Sequence, residues 1–176
     1  GAAALIYWRL RKAGAAIPRV ADAVAPALAV AYAIGRLGCF LVGDDYGRPT
    51  DVPWAIAFPN GAPPSTAENL REQFGVAIPP GVPGDTVLAV HPTQLYEIAM
   101  SLIIFAIVWR LRERIGAAGA LFSIYVALSG VERFIVEIFR AKDDRFFGAL
   151  TMAQLISLAL VALGIAGAVH LMRRRG

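Results

Sequence analysis

Four long apolar stretches, almost free of charge, constrain what this 176-residue chain can fold into. Residues 146–172, 115–131 and 23–35 carry no charged side chain, and residues 93–109 carry only Glu97. The first stretch is longer than the roughly 20 residues that an α-helix needs to cross a bilayer. Hydrophobic residues make up 57% of the chain, against about 45–50% apolar residues in an average soluble domain. The chain is therefore predicted to be an integral membrane protein.

Basic residues flank the apolar stretches in three clusters, and these clusters predict the orientation of the spans. They are Arg9, Arg11, Lys12 and Arg19; Arg110, Arg112 and Arg114; and Arg173, Arg174 and Arg175. Basic clusters of this kind stay on the cytoplasmic side of a membrane. Spans over residues 21–42, 93–109, 117–139 and 150–172 place all three clusters on that side. The C-terminus is then cytoplasmic, and residues 44–92 lie outside.

The predicted fold is a single all-α membrane domain over residues 1–176, with four full spans and a long irregular loop. Residues 1–8 resemble the last turns of a further span, so helices upstream of this chain are expected. The net charge of +4 comes from the flanking clusters, without the aromatic side chains along a polar groove that nucleic-acid binders use. The single cysteine, Cys39, excludes an internal disulfide and a multi-thiolate metal site.

The outer segment is rich in proline and glycine, which argues against a long helix there. Alternating apolar side chains predict a short strand within residues 51–58. Residues 66–74 are predicted to form a short helix, capped by Ser65 or Thr66. Trp54 and Phe58 are candidate anchors at the bilayer surface.

Charged side chains inside the predicted spans are the strongest functional signal. They are Arg36, Glu97, Glu132, Arg133, Glu137 and Arg140. A charge at the centre of a bilayer costs at least about 2.5–3.5 kcal/mol, so such residues usually serve a function. Positions 133, 137 and 140 share one helix face, so Glu137 is expected to pair with Arg133 and Arg140. The remaining guanidinium donors could bind a phosphate in bidentate fashion.

Structural roles are the alternatives for these charges. The arginines and Glu132 could extend toward the membrane surface or pair only to fix the packing of their helices. Glu97 could stabilise the N-terminus of its helix through the helix dipole. These alternatives weigh more for Arg140 and Glu132 than for Arg36 and Arg133.

Two motifs add polar groups at the outer ends of the spans. In the run Gly35-Arg-Leu-Gly-Cys-Phe-Leu-Val-Gly-Asp-Asp-Tyr-Gly-Arg-Pro-Thr50, the glycines are expected to allow close helix approach and a sharp exit from the membrane. The run His91-Pro-Thr-Gln-Leu-Tyr-Glu97 places Pro92 in the first turn of a helix. His91 is a candidate for catalysis, and a hydrogen-bonding or capping role is its alternative.

Three stretches together resemble one family, the prolipoprotein diacylglyceryl transferases. Gly35-Arg-Leu-Gly-Cys-Phe40 with Asp44-Asp-Tyr-Gly-Arg48 resembles the family signature, and the run from His91 to Glu97 resembles its HPSQLYE motif. Arg133-Phe-Ile-Val-Glu-Ile-Phe-Arg140 with Leu150-Thr-Met-Ala-Gln154 resembles its RFxxExxR and L-S-x-x-Q segments. The three stretches occur in the family's order, and the resemblance extends over about residues 1–172.

This resemblance implies a seven-helix enzyme of the bacterial inner membrane, with residues 44–92 in the periplasm. Such an enzyme transfers the diacylglyceryl group of phosphatidylglycerol to the lipobox cysteine thiol of a prolipoprotein and releases glycerol 1-phosphate. The expected partners are phosphatidylglycerol, prolipoprotein signal peptides and membrane lipid, and not nucleic acid. Neither a metal nor a soluble cofactor is expected.

The resemblance also implies roles for single residues. Arg36 and Arg133 would hold the lipid phosphodiester, Glu137 would orient Arg133, and His91 completes the candidate catalytic set. The candidate substrate-binding residues are Arg36, Cys39, Asp44, Gly47, Tyr96, Glu97, Arg140 and Gln154.

The chain departs from the family pattern at three positions, which leaves alternatives open. Cys39 replaces an asparagine, Asp44 a glutamate and Ser129 a tyrosine. The family's histidine-glycine-glycine motif is expected upstream, so the general base stays unassigned and this chain alone is expected to be inactive. A catalytically silent relative that binds lipid or lipoprotein is the first alternative. A small transporter lined by the buried charges is the second.

Overall fold

Helices make up most of the fold in the computed structural model, which describes residues 1–141, 145–147 and 150–174. The helices are α1 (Ala2–Lys12), α2 (Ile17–Val42), α3 (Ala67–Glu72), α4 (Thr93–Leu111), α5 (Ala120–Phe139) and α6 (Met152–Arg173). Two short antiparallel pairs accompany them: β1 (Ile56–Ala57) with β2 (Ala89–Val90), and β3 (Arg145–Phe147) with β4 (Leu150–Thr151). Strand β1 lies inside the segment where alternation predicts a strand, whereas the second pair was not predicted.

Three helices of the described chain, α2, α4 and α6, are long and apolar enough to cross a membrane. Their bounds differ from the predicted spans at four ends, of which two are small extensions: α4 continues to Leu111 and α6 to Arg173. Helix α2 begins at Ile17 rather than at residue 21, because Pro18 fits the first turn. Helix α6 begins at Met152 rather than at residue 150, because Leu150 pairs in β4 and Thr151 caps the helix. Arg175, the last residue of the C-terminal basic cluster, lies outside the described residues.

Helix α5 begins at Ala120, three residues after the predicted start of the third span. Gly119 adopts a left-handed conformation with φ of 87°, which is accessible to glycine. The carboxylate of Asp22, on α2, accepts hydrogen bonds from the backbone N–H groups of Gly119 (2.7 Å) and Phe122 (2.8 Å). A side chain of another helix therefore caps α5. Because α5 carries three charged residues, its crossing of the membrane stays a prediction.

Two helix pairs dominate the packing, α5 against α6 and α2 against α4. A Cβ atom on Gly164 of α6 would lie 2.6 Å from the backbone of Ser123 and Ala127, and one on Gly130 of α5 would lie 2.8 Å from Ser157 O. These two glycines let the backbones of α5 and α6 approach closely. The other pair encloses an apolar core that includes Ala29 and Val108.

Among the described residues, no helix approaches Gly35 or Gly38 as closely as predicted. A Cβ atom at either position would meet none of the described atoms within 4 Å. Gly43 and Gly47 do fulfil the prediction. Gly43 ends α2 in a left-handed conformation, and a Cβ atom on Gly47 would collide with Phe139 O and His91.

The segment between α2 and α4 folds around a small core of its own. Phe58 stacks on Tyr46 with ring centroids 5.5 Å apart, and Leu70 and Val90 are fully buried beside them. Burial raises the pKa of Tyr46 to about 12, so its hydroxyl stays protonated and donates to a proline carbonyl. Phe58 is 8% exposed, so its predicted role as a membrane anchor is wrong.

This segment is fixed directly to the ends of α4 and α5. The N–H of Gly47 donates to His91 O (2.8 Å), and the N–H of Arg48 donates to Phe139 O (2.9 Å). Helix α3 is capped by the Thr66 side chain, as predicted. The segment therefore forms a folded cover over the helix ends, and this cover positions the site described next.

Candidate active site

Three helices meet at the carboxylate of Glu97, which lies in the second turn of α4 and is 1% exposed. Arg36 of α2 approaches it with Nε 3.1 Å from Oε2. Tyr32, one turn before Arg36, donates its hydroxyl to Oε1 at 2.8 Å. Arg133 of α5 lies at the edge of this contact, with Nη1 4.0 Å from Oε1. Glu97 therefore pairs with arginine rather than acting only on its own helix dipole.

The guanidinium of Arg36 is held on two sides. Its Nε and Nη2 atoms donate to the Tyr32 hydroxyl at 3.1 and 3.0 Å, because residues four apart share one helix face. Its Nη1 atom donates to Oδ2 of Asp45 at 2.9 Å. Arg36 thus links the interior of the bundle to the cover.

Asp45 bridges Arg36 and Arg140, which come from different helices. Its Oδ1 atom accepts a hydrogen bond from Nη2 of Arg140 at 2.7 Å. Partial burial raises the pKa of Asp45, but the charge of Arg140 and the hydrogen bonds from Arg36 and Arg140 outweigh it, so the pKa is lowered overall. Asp45 adopts a φ of 55°, an unusual conformation that aspartate tolerates better than most residues.

On α5, Glu137 pairs with Arg133 as its spacing predicts. Nη2 of Arg133 lies 2.9 Å from Oε2 of Glu137, and Nε of Arg140 lies 4.0 Å from the same oxygen. Nη1 of Arg133 is buried and has no hydrogen-bond partner among the described residues. A buried donor without a partner costs about 1–3 kcal/mol, so a ligand acceptor at this atom would recover that cost.

Arg36, Arg133 and Arg140, with the carboxylates that pair with them, form the arginine cluster. Cys39 and Asp44 lie beside this cluster but, among the residues described, form no ion pair with it. Sγ of Cys39 lies 3.9 Å from Nη1 of Arg36. The backbone carbonyl of Asp44 accepts a hydrogen bond from the Gln94 side chain, whereas its Oδ1 atom is buried with no hydrogen-bond partner in the described chain. The structure thus brings Asp45, rather than the predicted Asp44, into ion pairs with the arginines.

Cys39, Asp44 and Asp45 have ligand atoms within 4.8 Å of one another and could approach one metal ion. Both carboxylate oxygens of Asp45 already accept hydrogen bonds from arginines. Asp45 is therefore already engaged by the arginines and is poorly placed to coordinate a metal ion as well.

His91 and Tyr96 belong to an aromatic group at the edge of the cluster. The Tyr96 hydroxyl accepts a hydrogen bond from Nε1 of Trp54 at 2.7 Å and lies 3.1 Å from Nδ1 of His91. The His91 ring packs against Phe139 with centroids 5.2 Å apart. Burial lowers the pKa of His91, so its ring is neutral at pH 7 and can accept a hydrogen bond.

Gly47 contacts residues that are distant along the chain, whereas Gln154 contacts the start of its own helix. Gly47 fits closely between α4 and α5, where its backbone forms a bridge to Arg140. The side chain of Gln154 accepts a hydrogen bond from the N–H of Thr151 (3.1 Å) and completes a capping box at the start of α6. The arginine cluster therefore contains Arg36, Glu97, Arg133, Glu137 and Arg140 of the candidate residues, whereas Gln154 caps its own helix.

A cavity of about 200 Å³ lies between α2, α4 and α5, next to Arg133. Its polar lining comes from Tyr32, Ser101, Tyr125, Ser129, Glu132 and Arg133. Glu132 is 6% exposed and its Oε1 atom accepts a hydrogen bond from the Ser101 hydroxyl at 2.8 Å. This contact shows that Glu132 points into the bundle rather than toward the membrane surface.

Sequence reasoning missed Tyr32, Asp45 and Ser101. Two of them could have been found from their spacing. Tyr32 lies four residues before Arg36 on α2, and Ser101 lies four residues after Glu97 on α4. That spacing places each of them on the charged face. Asp45 offers no such signal, because it lies in a turn after the helix.

Comparison with known proteins identifies relatives over most of the chain. A model of the prolipoprotein diacylglyceryl transferase family matches residues 1–170. The chain is 37% identical over 171 residues to a protein of Geobacter sulfurreducens named phosphatidylglycerol–prolipoprotein diacylglyceryl transferase, covering 95% of this chain and 56% of that protein. A protein of the same name from Corynebacterium diphtheriae is 36% identical over 170 residues, covering 96% and 57%. The chain thus spans about half the length of the curated relatives it matches.

Proposed function

The chain belongs to the prolipoprotein diacylglyceryl transferase family, and on this premise we propose the reaction that its charged cluster serves. The protein transfers the diacylglyceryl group of phosphatidylglycerol to the lipobox cysteine thiol of a prolipoprotein and releases glycerol 1-phosphate. The observation that carries this proposal is the convergence of Arg36 and Arg133, from two helices, on Glu97. A phosphodiester between these two arginines would have donors on both sides.

In the proposed reaction, the thiol sulfur forms a bond to the glycerol carbon that carries the phosphate ester. The bond between that carbon and the ester oxygen breaks, and its electron pair leaves with the phosphate. The negative charge on the departing phosphate therefore increases in the transition state. Nη1 of Arg133, a buried donor without a described hydrogen-bond partner, is suited to stabilise that charge. Glu137 holds the same guanidinium through Nη2.

Net positive charge does not explain how the cluster would bind a phosphate. Its three arginines face three carboxylates, on Asp45, Glu97 and Glu137. The formal charges balance, so the lipid must be recognised by directional donors. Arginine supplies such donors in a fixed planar geometry, which lysine lacks. A lysine at position 133 is therefore expected to replace the charge but not the function.

The other candidate residues have supporting roles in the proposed site. Cys39 lies within reach of Arg36, and Asp44 leaves a buried acceptor oxygen; both would border the bound head group. Gly47 would let the cover approach the helix ends. His91 and Tyr96 would shape the entrance. For Gln154, we propose that the capping box fixes the start of α6 beside α5.

The proposed setting is the bacterial inner membrane. Helix α5 would cross it as a fourth span, because its charged side chains point toward Glu97 and Ser101 rather than toward lipid. Residues 44–92 would lie in the periplasm and the C-terminus in the cytoplasm, following the basic clusters. The arginine cluster would then sit near the outer surface, within reach of a lipid head group.

The test is transfer by the full-length protein in phosphatidylglycerol liposomes, with a lipobox peptide as acceptor and peptide mass as readout. We expect a mass gain of one diacylglyceryl group on the cysteine. Arg133→Lys is expected to lower the transfer rate by about a hundredfold or more, as for the loss of an oriented donor to a developing charge. Arg112→Lys, at the far end of α4, is the matched control and should keep the rate.

Two outcomes would contradict the proposal. A wild-type protein that leaves the peptide thiol unmodified is not a transferase. If that protein still binds phosphatidylglycerol, it is the catalytically silent relative suggested by Cys39 and Ser129. A rate unchanged by Arg133→Lys would remove the arginine from the mechanism.

A further inference from the structure

The cavity next to Arg133 lies deeper in the helix bundle than the arginine cluster. Apart from Tyr32, Glu132 and Arg133, the lining residues on all three helices lie farther from the cover than the cluster does. Ala29 lies two turns from Arg36, and Ser101 and Ser129 lie one turn from Glu97 and Arg133. At about 1.5 Å per residue, the cavity reaches roughly 6–10 Å below the cluster. Arg133 belongs to both, so the two spaces adjoin.

Glu132 is the buried acidic group of this cavity, and the reaction proposed above gives it no role. Its Oε1 atom accepts the Ser101 hydroxyl, and within the described residues Glu132 forms no ion pair and its second oxygen accepts no hydrogen bond. Arg133, the next residue along α5, directs its Nη2 atom to Glu137 instead. A carboxylate in this position can accept a proton from a group that enters the cavity.

The geometry of nucleophilic substitution at the glycerol carbon indicates where the attacking thiol must lie. A nucleophile attacks the carbon from the side opposite the leaving oxygen. If the phosphate is held by Arg36 and Arg133 near the cover, the side opposite it faces the deeper cavity. The reacting atoms must approach to about 3–3.5 Å in line, so the attacking sulfur has to sit there.

The cavity is suited in size to a small group. An engineered apolar cavity of about 150 Å³ holds one benzene molecule, so about 200 Å³ accepts a cysteine side chain but not two acyl chains. Its walls mix apolar residues such as Ile104 with hydroxyl groups. A thiol, which is weakly polar, fits such a lining better than a phosphate does.

We propose that this cavity seats the acceptor thiol and that Glu132 takes its proton. The inference rests on the proposed function. As the sulfur–carbon bond forms, the S–H proton passes to the Glu132 carboxylate, and the phosphate leaves with the electrons of the broken carbon–oxygen bond. Ser101 holds the carboxylate in place through Oε1. Glu132 is then a catalytic residue, and Ser101 is a positioning residue.

The test uses the full-length protein with Glu132→Gln, which keeps an oxygen for the Ser101 hydrogen bond but accepts no proton. General-base catalysis contributes about 10²–10⁴-fold, so we expect kcat to fall at least a hundredfold while KM for phosphatidylglycerol stays constant. A peptide with selenocysteine at the lipobox position should recover most of the lost rate, because a selenol is more acidic than a thiol and needs no base. Glu113→Gln, at an exposed site, is the matched control.

The outcomes separate this inference from the proposed function. A wild-type protein without transfer activity overturns the proposed function and this inference with it. An active wild type with an equally active Glu132→Gln variant overturns the inference alone. Equal losses with the thiol and selenol peptides also overturn it, because they indicate a structural role. If Glu132→Gln does not fold, Ser129→Met, which fills the cavity, should block peptide modification and retain phosphatidylglycerol binding; modification at the wild-type rate would overturn the inference.

Discussion

Arg36 and Glu97 form an ion pair between α2 and α4, with Nε 3.1 Å from Oε2, inside the helical bundle. Their side chains are 15% and 1% exposed, so both charges are largely removed from solvent. Such a pair depends on both members, because removing one leaves the other charge buried without its partner. The geometry of the whole cluster therefore depends on Glu97.

Glu97→Gln should destabilise the protein as well as disturb the site. The amide oxygen can still accept the Tyr32 hydroxyl, but the charge that balances Arg36 is lost. Breaking a buried pair costs about 3–5 kcal/mol, so we expect the free energy of unfolding to fall by about 3 kcal/mol. Unfolding by SDS in mixed micelles measures this change. Glu113→Gln, at an exposed pair with Arg112, should leave the unfolding free energy unchanged.

Asp45 should make stability depend on acidic pH. Its pKa is lowered in the folded protein from the ordinary value of 3.8. A group with a lowered pKa stabilises the fold above its ordinary pKa, and this stabilisation is lost as pH falls through the lowered value. Wild type should therefore exceed Asp45→Asn in stability at pH 7, and the difference should shrink below pH 3.8. An equal difference at pH 7 and pH 3 would contradict this assignment.

Gly164→Ala should weaken the packing of α5 on α6. The new methyl group would lie 2.6 Å from backbone atoms of Ser123 and Ala127, which cannot move aside as a side chain can. Overpacking of this kind costs about 1–3 kcal/mol. Thermal unfolding in detergent should show a lower midpoint for this variant. Gly35→Ala is the matched control and should show no loss, because its methyl group would meet none of the described atoms within 4 Å.

Asp22→Ala should loosen the start of α5. The two backbone N–H groups that Asp22 accepts would lose their capping partner, at a cost of about 1–2 kcal/mol. Hydrogen exchange at residues 119–122 should become faster, while exchange in α6 stays the same. Asp85→Asn, at an exposed site, should change neither. Unaltered exchange at residues 119–122 in Asp22→Ala would show that the cap is dispensable.

Much of the helical framework could be predicted from the sequence, because bilayer-length apolar stretches and basic clusters are local signals. The pairing of Arg133 with Glu137 was also predictable, because a helix fixes the direction of residues four apart. The start of α5 was not. It depends on Gly119 and on Asp22, which is 97 residues distant along the chain.

The sequence could not predict which of Asp44 and Asp45 pairs with the arginines. Both residues follow α2 directly, and either could reach the arginines. The turn gives Asp45 a positive φ and directs its carboxylate to Arg36 and Arg140. Asp44 instead offers its backbone carbonyl to Gln94. This choice arises from the docking of the cover on α4, which involves contacts between distant segments.

In the proposed site, Arg36 and Arg133 bind one lipid phosphate together. A double-mutant cycle measures whether they do, with phosphatidylglycerol affinity determined in nanodiscs for wild type, Arg36→Lys, Arg133→Lys and the double variant. Residues that contact one group are not additive, with coupling of about 0.5–3 kcal/mol. The double variant should therefore lose clearly less affinity than the two single losses combined. Strictly additive losses, or single variants that bind like wild type, would contradict the claim.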